Sequence, residues 1–109
     1  MKGKSFIHEK SIKDIAILSA MRCYGIVGLA PVNVVQRVQK VLGWSEASRG
    51  VEIAFKGNRI LITFHVILSK GINVKEVVHN LIDQTEYSFD KMVGIKPEIS
   101  VIVEGIKEE

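Results

Sequence analysis

The strongest pattern in the chain lies between Arg59 and Gly94, where two hydrophobic periods follow one another. Ile60, Ile62, Phe64, Val66 and Leu68 recur at every second position, the spacing that gathers side chains on one face of a strand. Beyond the break Ser69-Lys70-Gly71-Ile72, the residues Val74, Val77, Val78, Leu81, Ile82, Thr85, Phe89 and Met92 fall at three- and four-residue steps. That stripe predicts an amphipathic helix with one core-facing side. Each stripe needs cover, and each can supply it to the other. Asn73 with Glu76 makes an N-x-x-E helix start, and Gly94 with Pro97 punctuates the end.

The remaining elements are read around this pair. Val51, Ile53 and Phe55 alternate with Glu52, Ala54 and Lys56, a strand joined through the two-residue turn Gly57-Asn58 to the strand at 59–68. Ile99, Val101 and Val103 alternate with polar neighbours and predict a last strand over 98–104, parallel to 59–68 through a right-handed crossover. Upstream, Ser11 is placed as the N-cap of a helix from Ile12 to Tyr24, apolar over most of its circumference and stopped by Gly25. Gly25-Ile26-Val27-Gly28-Leu29 reads as a tight connector. Pro31 opens a shorter helix with Val34, Val35, Val38, Val41 and Leu42 on one face, and Trp44 to Gly50 reads as a polar loop. Residues 4–8 are read as a short edge strand. The expected fold is a single α+β domain over 1–109, with its core in about 5–106. It is a two-layer sandwich with an antiparallel or mixed sheet of three to four strands, two main helices and a third shorter one.

Composition sharpens this only a little. The chain has 109 residues, 47% hydrophobic and 25% charged, a globular balance sufficient for one core. Fifteen Lys and Arg against twelve Asp and Glu leave a net charge of +3, with the basic residues scattered rather than blocked. Cys23 is the single cysteine, so no intrachain disulfide is expected and a reducing cytoplasm is the expected location. No apolar run approaches the roughly 20 residues of a membrane span, and Met1-Lys2-Gly3-Lys4 leads into no signal-type apolar region. Direct membrane insertion is not expected.

Candidate chemistry is sparse. His8, His65 and His79 show no ligand spacing to one another, so neither a metal nor any other cofactor is expected. Cys23 sits at the end of an apolar helix, where a cysteine ordinarily packs. Asp83, Glu86 and Asp90 form a charged outer stripe on the long helix. No phosphate-binding glycine loop or nucleophile elbow occurs, so no catalytic residue and no small-molecule substrate are expected. A nucleic-acid-binding module is the alternative, resting on Arg49, Lys56 and Arg59 near the hairpin turn. It lacks a GxxG clamp and an aromatic pair on the sheet. The face of the sheet away from the long helix is more informative. Ala54, Leu61, Thr63, His65, Ile67, Ser100 and Ile102 share it and make a semi-apolar surface. Either a helix covers that surface or it is a contact surface.

The order of these signals resembles the alkaline-shock-protein family of bacterial envelope stress-response proteins. Ser11-Ile12-Lys13-Asp14-Ile15-Ala16 leads through Tyr24-Gly25-Ile26-Val27-Gly28-Leu29, similar to the family's helix and "G-V-x-G-M" turn. Gly50-Val51-Glu52-Ile53 follows, then Gly71-Ile72-Asn73-Val74 like the "Y-G-V-N-I" entry to the last helix. Met92-Val93-Gly94-Ile95 resembles the "M-T-G-L" exit, and the strand from Ile99 to Gly105 resembles "V-N-V-x-V-x-G". The resemblance implies a non-enzymatic cytoplasmic protein that acts through self-association and protein contacts. It also implies, as in some members, retention near the membrane by an envelope-associated protein partner. The contact residues expected on this reading are Leu61, His65, Ile67 and Ile102 on the open face, followed by Val34, Val38 and Trp44.

Overall fold

The computed structural model describes residues 9–30 and 50–108, with the backbone alone at residues 9 and 10. In chain order the elements are α1 (Glu9–Met21), β1 (Ile26–Leu29), β2 (Val51–Lys56), β3 (Arg59–Ser69), α2 (Val74–Met92) and β4 (Glu98–Lys107). The four strands make one mixed sheet, and the fold is α+β. The edge strand at 4–8 and the third helix after Pro31 lie outside the described residues.

The sheet is built on β3. β4 runs parallel along one edge, from Leu61 opposite Glu98 to Ser69 opposite Lys107. The β3–α2–β4 unit therefore joins neighbouring strands. On the other edge β2 pairs antiparallel with residues 59–64 and β1 with residues 66–68. They run in the same direction, so β1 and β2 behave as one edge strand interrupted between Ala30 and Gly50. Both ends of that interruption are fastened to His65: its carbonyl accepts from the Ala30 N–H at 2.9 Å, and its N–H donates to the Gly50 carbonyl at 2.8 Å.

Gly50 is what lets the two ends meet. Its φ is +87°, and a Cβ there would fall on the Ala30 carbonyl oxygen, 2.8 Å from the His65 carbonyl oxygen and 2.9 Å from the Ala30 nitrogen. Only a residue without a Cβ fits both the conformation and the space. β1 itself departs from the expected connector. Ile26–Leu29 is a bulged strand, with a register shift between Ile26 and Gly28, and the missing polar alternation hid it.

The core lies between the sheet and the two helices. Ile60, Ile62, Phe64, Val66 and Leu68 are all buried, the face set by their period of two. Val77, Leu81, Thr85 and Phe89 of α2 meet them, with Ile12, Ala16 and Ala20 of α1 beside them. The ends of the α2 stripe do not reach this cover: Val74 and Met92 are exposed. Asn73 caps α2 through its side-chain oxygen, which accepts from the Glu76 N–H at 3.1 Å. Gly94, at φ +81°, closes the other end as its N–H donates to the Phe89 carbonyl. α1 starts at Glu9, so Ser11 lies inside its first turn rather than at its cap. Its enclosure within the fold is one-sided, since Leu18 and Met21 are in solvent.

Candidate interaction face and its histidine clasp

Both helices pack on one side of the sheet, and no described element lies across the other. Strand parity assigns Ala54, Leu61, Thr63, His65, Ile67, Ser100 and Ile102 to this open face, and the pairings agree: Ala54 lies opposite Leu61, Thr63 opposite Ser100 and His65 opposite Ile102. Leu61 and Ile67 are half-buried, whereas Ile102 is exposed. The same count of two brings Glu52 and Glu104 onto this face, two polar positions outside the apolar set.

These two carboxylates bracket the His65 ring. Glu104 is the extra residue where the β3–β4 register shifts between Val66 and Ile67, and bulges of this kind re-aim a side chain. Its carboxylate lies 2.6 Å from Nδ1 of His65, while Glu52 from β2 lies 3.4 Å from Nε2. His65 is 7% exposed, and its ring contacts link β2 to β4 across β3. Of the four residues expected to make contacts on this face, His65 is thus occupied within the fold. Leu61, Ile67 and Ile102 present their apolar surface outward. Val34, Val38 and Trp44 lie outside the described residues.

At one end of the face, Arg59 makes a two-pronged contact with Glu98, Nε to Oε2 at 2.7 Å and Nη2 to Oε1 at 2.8 Å. The hydrogen bonds and charge of Arg59 hold the Glu98 carboxyl below the usual range. That guanidinium, one of the cations named for nucleic-acid binding, is thus paired with Glu98 while both side chains stay exposed. Cys23 lies on the opposite side, among the helices, with Sγ 3.7 Å from the Val77 carbonyl oxygen. Burial pushes its thiol up, away from the thiolate a nucleophile needs. His79 sits on the outer side of α2, 3.2 Å from Asp83. Cys23 in the core, His65 on the open face and His79 on the outer side of α2 are thus kept apart. Among the described residues no group of three or more His, Cys, Asp or Glu is arranged to hold a metal ion. A hollow of about 180 Å³ beside the hairpin is walled mainly by Ile12, Phe55, Ile60, Val93 and Ile95, an apolar gap between elements.

A family model described as having cell envelope-related function, that of alkaline shock protein 23, matches residues 1–108. The chain belongs to this family. A curated relative, the uncharacterized protein YloU of Bacillus subtilis strain 168, is 30% identical over 107 residues, covering 96% of this chain and 89% of YloU. No solved structure matches. Among the described residues of this alkaline-shock-family chain, no helix is long and apolar enough to cross a membrane.

Proposed function

We propose that this alkaline-shock-family protein is non-enzymatic and cytoplasmic, that it acts by self-association and protein contacts, and that it is held near the envelope through a protein partner. One observation carries the reading: Leu61, Ile67 and Ile102 share a sheet face that no described element covers, half-buried at the first two and exposed at the third. Exposed apolar surface on an uncovered sheet face is the feature that contact surfaces are built from. The family's envelope-related description supplies the setting.

The test is the double variant Leu61→Lys, Ile67→Lys. Both positions are on the face away from the buried core, so the circular dichroism spectrum should be retained. Sedimentation equilibrium should then show wild type above monomer mass and the variant at monomer mass. Equal masses for the two proteins would remove the open face as the association surface. A gel shift of wild type with RNA at low salt, steeply weakened by added salt, would favour nucleic-acid binding instead.

A further inference from the structure

The geometry points to a pH-sensitive clasp at His65 that ties both outer strands to β3. The ring lies between Glu104 on β4, 2.6 Å from Nδ1, and Glu52 on β2, 3.4 Å from Nε2. Carboxylates only accept, and a neutral imidazole carries one N–H donor. Both contacts are hydrogen bonds only when the ring holds two protons. Remove one, and a ring lone pair faces a carboxylate oxygen.

The two contacts do not give way together. The Glu104 contact is the shorter, so the remaining proton stays on Nδ1 and the Nε2–Glu52 contact opens. Glu52 is free to leave, because its side chain is 38% exposed and can swing into water. β2 is thereby released from the ring, while β4 stays attached. No other described charge compensates. On β3 the same-face neighbours are Thr63 and Ile67, β1 has no charged residue, and both helices are behind the sheet. The clasp is closed when the ring carries two protons and half-open when it carries one, and histidine is the side chain type suited to that exchange.

The consequence is a pH-dependent effect of Glu52 replacement that a purely structural histidine would not produce. In Glu52→Gln the side-chain amide cannot satisfy a protonated Nε2 as strongly as a carboxylate, but its NH2 can donate to the unprotonated nitrogen. Urea unfolding of the full chain at pH 5.5 should therefore give an unfolding constant for Glu52→Gln about fivefold above wild type, the size of one hydrogen bond. The gap should close or reverse by pH 9. Ring nitrogen NMR of wild type should show two protonated nitrogens on His65 at pH 5.5 and Nδ1 alone at pH 9. An unfolding gap unchanged between the two pH values, or a ring with the same proton count at both, would overturn the clasp.

Discussion

Gly50→Ala tests whether the interrupted edge strand is held as described. The new methyl group needs a left-handed backbone, since φ is +87°, and an L-residue there costs about 1–2 kcal/mol. It also meets backbone atoms, 2.8 Å from the His65 carbonyl oxygen and 2.9 Å from the Ala30 nitrogen. Backbone cannot rotate away as a side-chain tip can, so one strand segment must move. That movement strains the two bonds at His65, from the Ala30 N–H and to the Gly50 carbonyl, each of about 1 kcal/mol. Together these give a loss of about 3–4 kcal/mol. With a urea m-value within about 1–3 kcal/mol/M, the midpoint falls by about 2 M. Gly57→Ala is the control. Its φ is +62°, but nothing lies within 4 Å of the added atom, so only the conformational cost of about 1–2 kcal/mol remains. Equal midpoints for the two variants, or a loss below about 1 kcal/mol at Gly50, would refute the close approach at Ala30.

Two further outcomes follow from the charged and reactive groups. Arg59 holds the Glu98 carboxyl below its usual range, so their contact stabilises above the unfolded carboxyl's pKa and fades as pH falls through the lowered folded one. Arg59→Gln should unfold at lower urea than wild type at pH 7 and match it in strong acid; a difference that persists there would contradict the pairing. Cys23 is buried with its thiol pushed up, so alkylation of the native protein should proceed at the rate of unfolding. Fast labelling without unfolding would place the thiol at the surface.

The parts of this fold legible in the sequence are those whose signals are local. Gly57-Asn58 sits between two alternating runs, and the structure forms the hairpin there, with a positive φ at Gly57 but not at Asn58, the sign pattern of a II′ turn. The Asn73 cap and the Gly94 stop are likewise set by residues three to five positions away. β1 was not legible, because Ile26, Val27 and Leu29 carry no polar alternation and the pairing partner is some forty residues downstream. Gly50 read as the end of a loop for a related reason: its constraint comes from Ala30 and His65, not from its neighbours.

The open face was legible as a parity, and the pairings place Ala54, Leu61, Thr63, His65, Ile67, Ser100 and Ile102 together on it. What parity could not supply was distance. Glu52 and Glu104 share the count with His65, yet only the bulge at Glu104 and the pairing of β2 bring their oxygens to the ring.

The claim that copies associate through the sheet face is tested most directly by spin labels on a Cys23→Ala background. Ser100→Cys places a label on the open face and Asp90→Cys places one on the exposed side of α2. Dipolar spectroscopy between copies should give a short distance from the Ser100 site and a longer one from the Asp90 site. The shorter distance from Asp90, or no dipolar coupling at either position, would contradict association through this face.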